Sequence, residues 1–177
     1  MSQVAISGNA SGTGTLTIAA PNTNSNYTLT LPALTGTVLT SATAGTVLQV
    51  VRATYNTTTS TTSTSFVTSN LSASITPISS TNKVLVFLLS TVATANGSTS
   101  IPVTLYRNAT NVAGGTTPIT DLVTSGNNWA MNFNYLDSPA TTSATTYTFY
   151  FRSGNGSLVY TNIAGYTSSL ILMEIAA

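Results

Sequence analysis

Between Asn128 and Leu136 the chain reads NWAMNFNYL, and between Tyr147 and Phe151 it reads YTFYF. Large apolar side chains fall on every second residue: Trp129, Met131, Phe133 and Tyr135, then Tyr147, Phe149 and Phe151. Successive side chains of an extended backbone point to opposite sides, so this period of two predicts strands with one core-facing side. By that reading Trp129 begins a core-facing row. Helical periodicity nowhere runs longer than about two turns. Such a chain is confined to an all-β fold.

Composition sets the character of the surface. Charged residues are 4% of the 177-residue chain, against about 25% in an average soluble domain. They are Arg52, Lys83, Arg107, Arg152, Asp121, Asp137 and Glu174. Serine and threonine, roughly a third of the residues, take the place of charge. Threonine is β-branched and suits a half-exposed strand. A net charge of +1 excludes electrostatic capture of nucleic acid, which needs clustered cations. It also leaves little repulsion between copies of the chain. The absence of cysteine removes disulfides, thiolate metal sites and a thiol nucleophile. No apolar run is long enough to cross a bilayer, Val84–Leu89 being the most apolar, so membrane insertion is not expected. MSQVAISGNASGTG has no basic, apolar signal-peptide pattern, which makes synthesis in the cytoplasm the expectation.

Residues 1–44 read differently from 45–177. GTLTIAA (14–20) and YTLTL (27–31) alternate apolar residues with threonine, and Gly36–Thr40 does so more loosely. Pro21, NTNSN at 22–26, Pro32 and Gly36 punctuate them. Three strands this short cannot bury a core of their own. Their apolar residues Leu16, Ile18, Leu29, Leu31, Val38 and Leu39 need another surface, on the rest of the chain or on neighbouring copies. SATAG at 41–45 is the expected boundary.

Residues 45–177 are expected to form an antiparallel, jelly-roll-like β-sandwich of eight or nine strands. These begin at Val47–Tyr55, with the Thr/Ser run 57–65 as a loop. KVLVFLLSTVA (83–93) is apolar enough to predict burial on both faces. SGNGS (153–157) carries the Asn-Gly signal of a hairpin leading into 158–163. SLILMEI (169–175) closes the domain.

The catalytic inventory is almost empty. Without histidine no Ser-His-Asp triad can form. A glycosidase dyad would have to come from Asp121, Asp137 and Glu174. Asp137, before Ser-Pro, reads as a turn-former, and Glu174 is expected to pair with an arginine. No spacing marks a metal site, no cofactor is expected, and the chain does not read as an enzyme. For ligand binding the candidates are Trp129 with Asn127 and Asn128, whose ring and amides suit a sugar, and Tyr106 with Arg107 before the NATN turn.

GTGTLTIAAPNTNSNYTLTLPALTGTVLTS (12–41) resembles a segment that recurs in bacteriophage fibre and virion structural proteins. YLDSPATTSATTYTFYFRS (135–153) and the final SLILMEIAA resemble their distal domains, so the likeness covers most of the chain. The resemblance implies a homotrimer with an intertwined N-terminal β region and a distal jelly roll of the TNF/C1q-like sort. It implies a virion location, attachment to other virion proteins at one end, and a host-surface glycan or outer-membrane protein at the other. A capsid or tail decoration (cement) protein and a carbohydrate-binding adhesin module are the alternatives. Removing residues 1–44 is expected to weaken the trimer and leave a folded β domain.

Overall fold

The structure, a computed structural model, describes residues 11–13, 22–26, 44–95, 97–126 and 128–177. The chain divides into two compact units, Met1–Thr37 and Val38–Ala177. In the first, the Ser25 N–H donates to Thr23 Oγ1 at 3.1 Å, a local turn inside NTNSN. Leu16, Ile18, Leu29, Leu31, Val38 and Leu39 lie outside the described residues, as does Asn127.

The second unit holds eleven strands among the described residues and no helix. They are β1 (Val47–Tyr55), β2 (Thr59–Thr61), β3 (Val67–Ile75), β4 (Lys83–Thr94), β5 (Ser98–Arg107), β6 (Thr110–Asn111), β7 (Thr120–Ser125), β8 (Trp129–Asp137), β9 (Thr145–Phe151), β10 (Val159–Thr161) and β11 (Ser168–Ile175). Their pairing is nested: β1 with β11, β3 with β9, β4 with β8, and β5 with β7, all antiparallel. The chain is thus one long antiparallel ribbon that runs out through β5 and returns from β7. Two further pairings, β11 with β4 and β9 with β5, roll the ribbon up. One sheet runs β1-β11-β4-β8, with β10 and β2 continuing beside β4 past the end of β11. The other runs β3-β9-β5-β7, with β6 beside β5. A double sheet of eight principal strands wound in this way is a jelly roll.

The core forms where the inward faces meet. Leu71, Ile75, Val84, Val86, Leu88, Ile101, Val103, Leu105, Leu170 and Leu172 are buried with Tyr147, Phe149 and Phe151. The period-two reading of β9 holds residue by residue, since Tyr147, Phe149 and Phe151 are all fully buried. Phe133 meets Phe149 edge-on with ring centroids 6.4 Å apart, a geometry that aromatic quadrupoles favour.

Three local expectations are corrected. The 57–65 run is not all loop, because Thr59–Thr61 adds β2 to the free edge of β10. Asn155–Gly156 does make a turn, but not a hairpin: β9 and β10 lie in different sheets, so the turn carries the chain between layers. Gly154 fits closely there, since a Cβ would press on Ser100 Oγ and crowd the Ser100 backbone carbonyl. In β4 only the end is buried on both faces. From Lys83 to Leu89 it alternates, leaving Phe87 and Leu89 exposed on the outer face of its sheet.

Glu174 is fully buried, and its partners are amides rather than an arginine. Oε1 accepts from Asn82 Nδ2 at 2.6 Å and from the Ile78 N–H at 2.7 Å, while Oε2 accepts from Gln49 Nε2. Burial alone would raise this carboxyl, but the bonds from Asn82, Gln49 and the Ile78 and Ser79 backbone outweigh it and hold it below its ordinary value. A pKa lowered by folding gives stability that is present above the unfolded value, about 4.3, and lost as pH falls through the folded one. Glu174→Gln offers one acceptor oxygen and turns an NH2 toward donors, so it should cost about 1–3 kcal/mol at neutral pH. Urea midpoints between pH 7 and pH 3 should show the gap between wild type and variant closing in acid. A constant gap would refute the linkage.

Candidate functional site

Most of the candidate residues fall into two separate places. Tyr106 and Arg107 end β5 in the second sheet, whereas Asn128 and Trp129 lie at the start of β8 in the first. Tyr106 stacks on Tyr150 with ring centroids 4.0 Å apart. Arg107 Nη1 donates to both carboxylate oxygens of Asp137 at 2.9 Å. Asp137 is therefore not a turn-former: it is the last residue of β8, nearly buried, and also accepts the Tyr147 hydroxyl at 2.6 Å. Burial first, and then the bond to Asp137, push the Tyr147 phenol well above its ordinary value and keep it neutral. Arg107 is thus committed to joining the two sheets.

Trp129 also departs from expectation. Met131 is buried and Phe133 and Tyr135 are partly so, but Trp129 is 49% exposed. It stands at the end of the strand, where the row of inward side chains runs past the rim of the sandwich. Tyr166, 51% exposed, from the β10–β11 loop, lines the same depression as Trp129. The two rings border a cleft of about 300 Å3 whose lining includes Leu89, Thr91, Asn128 and Thr167. Asn128 also lines a neighbouring depression of about 420 Å3 with Thr58, Gly126, Tyr160 and Ile163. None of the residues lining either depression is charged.

Both loops that shape this region are tied down. The Ile163 N–H donates to Thr91 Oγ1 at 3.0 Å and the Ala164 N–H to Thr58 Oγ1 at 2.8 Å. Asn162, at φ 51°, donates from Nδ2 to Ser69 O at 2.6 Å. Behind the cleft Ser90 Oγ lies within hydrogen-bonding distance of Thr161, Asn162 and Ser168. The Gly126 N–H donates to Thr94 Oγ1 at 2.8 Å. A satisfied buried polar network rigidifies what it supports. Nothing local in AGYTSS (164–169) marks Tyr166 as a site residue; only the fold brings it to the cleft.

The outer face of the first sheet is the second surface of interest. Across the strands, Val50, Met173, Leu85 and Leu136 form one register row. The next is Arg52, Ile171, Phe87 and Asn134, and the third is Thr54, Ser169, Leu89 and Asn132. Val50, Leu136, Leu89 and Phe87 are 56%, 54%, 51% and 39% exposed. They present on the order of 400 Å2 of apolar surface, the size of the largest patch on a typical monomer, which is often functional. Arg52 and Lys83 are the charged residues of this face, and no acid shares it. The edge strand β8 adds nine residues with neither lysine nor proline to block pairing.

No protein-family model matches the chain, and no curated protein does. Nineteen chains of solved structures match. They include the infectious bursal disease virus VP2 subviral particle, at 19% identity over 73% of this chain with a TM-score of 0.38. The structure of the Gx strain of the same virus matches at 18% identity, over the same share and with the same TM-score. The chain spans 37% of the length of these two proteins. A likeness this distant carries no argument about function.

Proposed function

We propose that this chain is a structural protein of a bacteriophage virion: a homotrimeric fibre attached to the virion through residues 1–44 that binds the host surface with its C-terminal sandwich. The observation that carries the assembly part is the uncovered apolar face of Val50, Leu85, Phe87, Leu136 and Met173. A face of this kind is stabilised when it is covered, by about 25 cal/mol per Å2. Copies of a chain with net charge +1 approach one another with little repulsion. Trimer and virion come from the resemblance of residues 12–41 and 135–153 to fibre proteins. The host-binding part draws on the exposed Trp129–Tyr166 cleft at one end of the sandwich.

A cement protein is the second reading, because a capsid or tail subunit could cover the same apolar face. Purified chain added to susceptible cells decides between them. A fibre should block adsorption of the parent phage in proportion to occupancy. Unimpeded adsorption together with saturable binding to empty heads would favour cement.

A further inference from the structure

We propose that the Trp129–Tyr166 cleft, with the depression beyond Asn128, is a binding groove for a short run of neutral pyranose residues. A pyranose has an apolar face of C–H groups and a rim of hydroxyls. Trp129 and Tyr166 offer exposed rings for the first. Asn128 and Thr167, both exposed and without a hydrogen bond of their own among the described residues, offer a carboxamide and a hydroxyl for the second. Sites of this type combine aromatic walls with a few placed polar groups. Depressions of about 300 and 420 Å3 that share Asn128 suit a chain of sugars better than a single ring.

The same lining argues against an acidic sugar or a phosphate. Neither depression has an arginine or lysine to pair with such a group, and an unpaired charge held against apolar walls is costly. Arg107 is engaged by Asp137 in the contact between the sheets. Arg152 is occupied elsewhere, donating to Thr64 O and lying 5.2 Å from the Phe66 ring centroid. The groove also differs from the apolar face in composition. The two meet at Leu89, which lines the cleft and sits in the third register row beside the polar Thr54, Ser169 and Asn132. Loops held by Thr91, Thr58 and Thr94 fix the groove before a ligand arrives, which lowers the ordering cost of binding. This inference rests on the host-attachment reading for the biological source of the saccharide, not for the binding itself.

The test uses the full chain and its own reporter. Trp129 is the sole tryptophan, so intrinsic emission reads the cleft directly. Titration with neutral oligosaccharides (maltoheptaose, chitotetraose, a linear galactan fragment) should give a saturable emission change with at least one of them. Polygalacturonate and polysialic acid should give none. Tyr166→Ala, which keeps the reporter and removes an exposed ring, should weaken binding at least about tenfold. Trp129→Phe should retain part of the binding by saturation-transfer NMR, and Trp129→Ala none. No response to any neutral oligosaccharide, a preference for the acidic ones, or unchanged affinity in Tyr166→Ala would each overturn the assignment. If the chain blocks phage adsorption while no sugar perturbs Trp129, the groove assignment falls and host attachment stands. If sugars bind with the expected variant pattern but adsorption is untouched, the groove stands and the fibre reading falls.

Discussion

Asp137→Ala should lower the stability of the sandwich by about 3 kcal/mol, as much as truncating a large core side chain. The carboxylate joins Arg107 of β5 to Tyr147 of β9 from the end of β8. Its removal strands the Tyr147 hydroxyl where no water reaches, since that residue is fully buried. Arg107 suffers less, because its side chain is 30% exposed and can turn to solvent. For a domain of this size the loss corresponds to a melting temperature roughly 6–12 °C lower. Tyr147→Phe in the Asp137→Ala background should recover part of it, by removing the stranded hydroxyl. Equal stability of Asp137→Ala and wild type in urea would show that the cluster contributes nothing.

Phe87→Lys combined with Leu136→Lys should act on assembly and leave the fold intact. Both side chains point outward from the first sheet and are substantially exposed in the single chain. The urea midpoint of the folded unit should therefore hardly move. If copies of the chain cover this face, each interface would then trap charges with no acidic partner on the same surface. Association should weaken at least about 100-fold, equivalent to about 2.7 kcal/mol. The effect should be read by sedimentation velocity across protein concentration, with circular dichroism as the check on folding. Unaltered association would mean that the apolar face is not where copies meet.

The sandwich was legible because burial on one face of a strand writes itself into every second residue, as YTFYF does without exception. What joins one strand to another is not written locally. Asn155–Gly156 specifies a turn, yet it has no means of saying that the next strand belongs to the other sheet. Ser138 and Pro139 after Asp137 suggest a turn, and the residues that give this carboxylate its role, Arg107 and Tyr147, lie thirty and ten positions away. The apolar run from Val84 to Leu89 was visible as a run. Its outer half is nevertheless exposed in the single chain, because hydrophobicity reveals a need for cover and not what supplies it. Trp129 shows the same limit at a strand end: the alternation runs on into a residue that the core does not cover, and Trp129 is half exposed. Tyr166 joins it only through the fold of the β10–β11 loop.

Self-association is the claim on which the functional reading depends most. Sedimentation equilibrium of the purified full chain measures it directly. A single species of three times the 18.2 kDa chain mass, stable on dilution, is the predicted result. A folded 18.2 kDa monomer at all concentrations would contradict the account.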